Sequence, residues 1–184
     1  MILPIYLYGS EVLRQKAAPA DLAEKEKITK LVSDMEETLA KSEGCGLAAP
    51  QVGESVRILI VDGTGMTDVY PYLAGFKRVM INPVVLEESE KKCEYSEGCL
   101  SIPGIYCDVT RPQSITVEYY NGDFEKVTET LDKFACRMVQ HEMSHLDGDL
   151  FVDHVAPIRK KIISKKLMNI AKGKVFAKYA TKIK

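Results

Sequence analysis

Between Lys25 and Glu43 the apolar residues Ile28, Leu31, Val32, Met35 and Leu39 recur at steps of three and four, with charged residues between them. That period predicts an amphipathic helix with one buried stripe, and Gly44 is placed to end it. The pattern then changes. VRILIVD at 56–62 is β-branched and apolar, which predicts a buried strand. KRVMINPVVLEE at 77–88 predicts a second strand, broken near Pro83, because proline cannot donate to a ladder. SITVEYY at 114–120, then NGD, then FEKVTET predicts a β-hairpin with Asn121 and Gly122 at its turn.

The helical period returns over 131–146, where Leu131, Phe134, Met138, His141 and His145 fall on one stripe. Two histidines therefore continue a buried face. Pro157 opens a third helix, with Ile158, Ile162, Ile163, Leu167 and Ile170 on its apolar side. The order is helix, several strands, central helix, basic helix. It predicts an α+β fold, with antiparallel or mixed strands around one core helix.

A chain of 184 residues that is 46% apolar can bury one sizeable core. It reads as a single domain over 1–184, with a basic helix and tail over 157–184. Lys and Arg number 25 against 26 Asp and Glu, so net charge favours neither nucleic acid nor membrane. The charges are unevenly placed. From Arg159 to Lys184 there are ten Lys or Arg and no Asp or Glu, so residues 1–158 hold 15 basic and 26 acidic residues, a balance of −11. A basic tail on an acidic body suits an RNA-rich or acidic partner; a solvated helix end with a frayed terminus accounts for it equally. Cys45, Cys93, Cys99, Cys107 and Cys136 are odd in number and form no C-x-x-C pair, which argues against a disulfide framework and for a reducing compartment. The opening MILPIYLYGSEVLRQ has no basic leader, and Pro4 and Glu11 interrupt its apolar run. With no apolar stretch long enough to cross a bilayer, the expectation is a cytoplasmic protein.

The chemistry concentrates in QHEMSHLDG at 140–148. Histidines four apart on a helix differ by about 40° around its axis, so both imidazoles can reach one ion, and Glu142 beside the first can touch a water on that ion. A catalytic site of this kind takes three protein ligands and leaves one position open. The common extension H-x-x-G-x-x-H finds Gly148 but meets Phe151 where a histidine is required, and no glutamate follows Glu142. His154 is a conceivable third ligand just past the helix. Cys136 faces away, about 140° from His141 and about 180° from His145. Cys99, in SEGCLSIPG at 96–104, stands among small residues that let a loop approach a metal, and a thiolate suits a borderline-soft ion. Any one of these cysteines can equally be a small buried apolar residue.

Three stretches together resemble the peptide deformylases, whose motifs read G-x-G-L-A-A-x-Q, E-G-C-L-S and Q-H-E-x-D-H. Here they are GCGLAAPQ at 44–51, EGCLS at 97–101 and QHEMSH at 140–145, in that order. The resemblance implies Cys99, His141 and His145 as metal ligands, Glu142 as catalytic acid and base, and Gln51 with the backbone N–H of Leu100 as oxyanion donors. Cys45, Gly46 and Gly98 would line a peptide groove. The substrate would be a formyl-methionyl nascent peptide, hydrolysed to release formate. The cofactor would be one divalent metal ion, Fe(II) in the cell, with Zn, Ni or Co accommodated in purified protein. Ribosome contact through the basic C-terminal segment would place the enzyme at its substrate, with no membrane and no specific DNA partner.

Methionine needs an apolar pocket, and Phe134 and Met138 lie on the metal face of the helix, with Arg137 able to flank the opening through its aliphatic stem. One position departs from the family: Ser144 stands where an Asp precedes the second histidine, opposite Arg111 in VTRP. At best a hydrogen bond replaces a charge pair there, which bears on rate and metal retention. Three rivals remain at this level: another H-E-x-x-H peptidase or amidase, a thiol hydrolase with Cys99 as nucleophile, and a closed structural zinc site.

Overall fold

A computed structural model describes residues 1–183. Strand β1 (Ile5–Tyr6) and a short 3-10 turn precede helix α1 (Lys25–Ser42). Five strands then form one sheet: β2 (Gly46–Ala48), β3 (Ile58–Asp62), β4 (Lys77–Glu88), β7 (Ser114–Tyr120) and β8 (Lys126–Asp132), in that spatial order and antiparallel throughout. Between β4 and β7 the chain makes a separate hairpin, β5 (Lys92–Cys99) with β6 (Ile102–Pro112). Helix α2 (Lys133–Leu146) follows β8, helix α3 (Pro157–Ala171) follows α2, and β9 (Thr181–Lys182) returns to pair parallel with β1. No described helix is long and apolar enough to cross a membrane.

Side chains alternate across a strand, and β3 uses both faces. Ile58 and Ile60 pack with Ile28, Val32, Met35 and Leu39 of α1, while Leu59 and Val61 pack with Met138, Val139 and Leu146 of α2. A strand buried on both sides must be apolar at every buried position, which is why ILIV at 58–61 is uninterrupted. A third cluster joins Ile105, Cys107 and Val109 of β6 to Phe151, Val155, Ile163 and Ile170.

Several local expectations change. The left-handed residue that ends α1 is Glu43 (φ 58°), not Gly44. Gly44 has a different constraint: a Cβ there would stand 2.8 Å from Leu100 Cδ1. β4 is not broken at Pro83; its register shifts between Ile81 and Val84, and Asn82 (φ 52°) absorbs the irregularity. The Asn82 amide accepts from Ala20 N–H (2.7 Å) and donates to Ala20 C=O (3.0 Å), which a β-branched residue could not do.

The hairpin loop is five residues, not a tight Asn-Gly turn. Asn121 N–H donates to Glu125 C=O (2.9 Å), the Asn121 side-chain oxygen accepts from Asp123 and Glu125 N–H, and Phe124 (φ 63°) takes the left-handed position. The second strand therefore starts at Lys126, two residues later than its sequence pattern indicates. Helix α2 begins at Lys133, and Leu131 fills the same core from β8. On α3, Ile163 and Ile170 are buried, but Ile158 and Ile162 are 74% and 63% exposed. The described residues after α3, 172–183, are not a frayed end: Ile5 N–H donates to Ala180 C=O and Leu7 N–H to Lys182 C=O, both at 2.9 Å.

Because Asn82 alone satisfies both backbone groups of Ala20 at a left-handed position, Asn82→Ala is expected to cost about 1–3 kcal/mol. Urea unfolding of the two proteins checks this, and an unchanged midpoint would show that the bridge contributes nothing.

Candidate metal centre

Glu97 organises the site. It lies near the end of β5, with its side chain turned inward at 4% exposure. One carboxylate oxygen meets His141 Nδ1 (2.7 Å) and Arg111 Nη2 (3.0 Å); the other accepts from Arg111 Nε (2.8 Å) and Arg137 Nη1 (2.7 Å). Burial alone pushes a carboxyl upward, but the hydrogen bonds from His141 and Arg111 outweigh it and hold Glu97 well below the usual carboxylate range. The contact to Nδ1 also orients the His141 ring, so its Nε2 faces the groove.

Two residues on, at the end of the same strand, Cys99 shares the inward side of β5. It stands on a strand terminus paired with Ile102, not in a free loop, and Leu100 and Ser101 make the turn into β6. Cys99, His141 and His145 each offer one donor atom, and these atoms lie within 4.8 Å of one another. Cys99 Sγ is 3.3 Å from His145 Nε2, and the two imidazole centroids are 5.2 Å apart. A sulfur and a nitrogen bound tetrahedrally to one zinc-like ion stand about 3.5 Å apart at ordinary bond lengths. The spacing fits such an ion, and so does the donor set.

Further observations support the fit. Glu142 Oε2 and His145 Nδ1 are buried with no protein hydrogen-bond partner. Burial pushes the Glu142 carboxyl up to about 7; the charge of His141 opposes the rise and that of Glu97 adds to it. Burial, reinforced by His141, drives His145 well below its ordinary value, so its ring is neutral. At His141 burial again opposes charge, but the hydrogen bonds to Cys99 and Glu97 prevail and lift it to about 10. Binding an ion at Nε2 displaces that proton.

Gln51 closes the site from the other side. Its side-chain oxygen accepts from Ala48 N–H (2.8 Å), while Nε2 donates to Ser101 Oγ (3.1 Å) and lies 3.5 Å from Cys99 Sγ. Gly46, on the edge strand β2, faces Glu142 so closely that any Cβ would collide with the carboxylate. Cys45, Gly46, Gly98, Phe134 and Met138 all border one groove of about 890 Å³ that reaches Glu142 and His141. Phe134 stacks on Tyr70 with centroids 4.7 Å apart. Burial, then Glu142, pushes the Cys45 thiol up to about 12, so it stays protonated.

Other candidates lie elsewhere. His154 bonds Asp149 away from the cluster, and Cys136 is buried in the core. Arg137 does border the groove, but it is 2% exposed and its guanidinium is turned inward, where it binds Glu97, Val109 C=O (2.6 Å) and Cys93 C=O (2.9 Å). Arg111 reaches Ser144 Oγ (3.0 Å) with Nη1 while holding Glu97 with its other two nitrogens. Glu97 itself escaped the motif reading although it stands inside EGCLS; its signal was an acidic residue two positions before a cysteine, on the same side of a strand.

Glu97→Gln would leave two buried guanidinium groups without their counter-charge, and an expected loss of about 3–5 kcal/mol follows, readable by chemical denaturation. The pH dependence has a definite sign. Since the folded carboxyl is depressed below its ordinary 4.5, its contribution is complete above that value and is lost as pH falls through and below it. Wild-type melting temperature should drop with acidification from about pH 4.5; a flat profile there would contradict the role of this carboxylate.

A family profile described as polypeptide deformylase matches residues 2–161. The peptide deformylase of Christiangramia forsetii is 41% identical over 186 residues, covering 97% of this chain and 94% of that one. The peptide deformylase of Flavobacterium johnsoniae is 40% identical over 189 residues, covering 99% and 96%. Among solved structures, peptide deformylase from Thermus thermophilus superimposes with a TM-score of 0.83 at 35% identity, over 94% of this chain and 99% of that one. Agreement that runs nearly end to end, in sequence and in backbone alike, shows that the chain belongs to the peptide deformylase family.

Proposed function

We propose that this protein hydrolyses the N-terminal formyl group of formyl-methionyl nascent peptides and releases formate. The observation that carries this reading is the convergence of a cysteine sulfur and two imidazoles within 4.8 Å, beside a buried glutamate with an unpartnered oxygen. Cys99, His141 and His145 would hold one divalent ion. When bound, such an ion supplies Lewis acidity at the formyl oxygen and makes water a stronger acid. Fe(II) is our proposal for the cell; the same sulfur and nitrogen donors accept Zn, Ni and Co.

Glu142 takes the proton of the attacking water and delivers it to the departing amine nitrogen. A carboxyl raised to about 7 can both accept and return a proton near neutral pH. Oxygen charge develops as the formyl carbon becomes tetrahedral, and Gln51 Nε2 and Leu100 N–H donate to it. Of the two Gln51 hydrogens, Ser101 holds one, and the other, on the Cys99 side, is the one offered to the oxyanion. A donor of this type is worth about 3 kcal/mol in the transition state.

The peptide has a natural seat. β2 is the edge of the five-stranded sheet, so an extended chain can add beside it through main-chain hydrogen bonds. The methionine side chain then enters between Cys45, Phe134 and Met138. Ser144 does the work of the family's Asp more weakly, through one neutral oxygen on Arg111. The outer face of α3 is exposed and carries Arg159, Lys160, Lys161, Lys165 and Lys166, which suits contact with ribosomal RNA where nascent chains emerge in the cytoplasm.

The 3.3 Å approach of Cys99 to His145 also permits a second reading, a thiol hydrolase with Cys99 as nucleophile. Chelation separates the two, because such an enzyme keeps its activity without metal. Glu142→Gln should lower formate release from a formyl-Met peptide by about 10²–10⁴-fold while elemental analysis shows undiminished metal; retained turnover would remove the proton-carrier role. Ser144→Asp should strengthen metal retention against a chelator or raise turnover, since groups that orient a metal's ligands commonly matter ten- to a hundredfold. Equal or lower values for both would count against this role of residue 144.

A further inference from the structure

The segment between α3 and β9 borders the groove. It is anchored at one end where Lys174 N–H donates to Asn169 C=O (2.8 Å) and Gly173 N–H to Ile170 C=O (2.9 Å). At the other end β9 pairs with β1, and Ile183 packs with Val175 against the third core cluster. Between these anchors Phe176, Ala177, Lys178 and Tyr179 border the same groove as Glu142 and Cys99. This strap lies beyond residue 161, where the family profile ends.

Two of its side chains have separate roles to explain. Tyr179 is half-buried, and its hydroxyl donates to the C=O of Leu100 at 2.7 Å. Leu100 is the residue between Cys99 and Ser101, and its N–H is the oxyanion donor proposed above. A hydrogen bond on the Leu100 carbonyl restrains the peptide plane joining Leu100 to Ser101, and through the Leu100 Cα it limits how the neighbouring plane that carries the Leu100 N–H can rotate. Phe176 is 84% exposed on the groove wall. No packing within the chain explains an aromatic ring held in water by a segment fixed at both ends, and an exposed ring beside a peptide groove offers apolar area to a bound chain.

We propose that the strap is part of the substrate site, with Tyr179 as a positioning residue for the Leu100 turn and Phe176 as a contact for the substrate side chain beyond methionine. This rests on the deformylase reading. The strap and Gly46 of β2 border the same groove, so a peptide lying along β2 would meet the Phe176 ring.

The experiment compares metal-loaded wild type, Tyr179→Phe and Phe176→Ala. Formate release is measured from formyl-Met and formyl-Met-Leu-Phe, and calorimetry follows binding of Met-Leu-Phe, the deformylated product. Tyr179→Phe removes one hydroxyl, and kcat should fall by about three- to tenfold, the worth of one hydrogen bond, with KM within about twofold, since the loss is felt only as charge develops. Phe176→Ala should weaken Met-Leu-Phe binding and raise KM for formyl-Met-Leu-Phe by about three- to tenfold, with little change for formyl-Met, as expected for partial loss of one aromatic contact. Thermal midpoints of Phe176→Ala and wild type should coincide, because the exposed ring contributes no packing. An unchanged kcat in Tyr179→Phe, or equal Met-Leu-Phe binding by Phe176→Ala and wild type, would overturn the proposal even with a fully active wild type. Failure of wild type itself to release formate would overturn the deformylase reading, a result read without either variant.

Discussion

A single buried carboxylate sets the geometry on which the centre depends. Glu97 is nearly inaccessible, yet it binds Arg111, Arg137 and His141 at once. Such a charge is tolerable only when every lone pair is engaged, because a buried ion without partners costs several kcal/mol. Its partners come from two elements, Arg111 from β6 and Arg137 with His141 from α2. Satisfying the carboxylate therefore fixes how far the β5–β6 hairpin slides along the helix. Once that register is set, the strand's two-residue period brings Cys99 against His145. The ionic network and the sulfur–nitrogen cluster are consequences of one alignment.

The opposite wall is governed by size. β2 approaches α2 at Gly46, where the absence of a side chain leaves room for the Glu142 carboxylate. Gly98 has the same constraint across the groove, since a Cβ there would come within 2.5 Å of the Tyr106 ring. Small residues thus keep the backbone near the reacting groups while the carboxylate stays buried and its proton affinity high. β2 is also the sheet's edge, and an edge with unpaired backbone groups is ordinarily a liability. Placed beside the proposed metal ligands, it is the seat proposed above for an extended substrate.

Electrostatics divides the molecule in the same way. Acidic residues dominate up to residue 158 and basic ones follow. The basic segment has two physical fates. Its helix rests on the β6 cluster through Ile163 and Ile170 and leaves an exposed cationic face, while Thr181 and Lys182 are drawn back by main-chain pairing with β1. Composition treats both as one charged tail; backbone hydrogen bonding separates them.

The sequence by itself determined the long, strongly periodic elements. α1, α2 and α3, β3, and the hairpin partners β7 and β8 were legible because their apolar residues recur with the period of the structure they form. The proposed ligands and Glu142 were legible because H-E-x-x-H and E-G-C-L-S carry their spacing in the chain. Tertiary structure alone decided the rest. Leu131 keeps its place in the core but enters it from a strand, since burial does not distinguish the end of β8 from the first turn of α2. Ile158 and Ile162 continue a helical stripe that no partner covers. Arg137 turns inward because Glu97, forty residues earlier, needs its charge. Tyr179 meets Leu100 only because β9 pairs with β1 across nearly the whole chain. Local periodicity records which residues need burial; which distant group satisfies each of them is set by the packing of elements far apart in sequence.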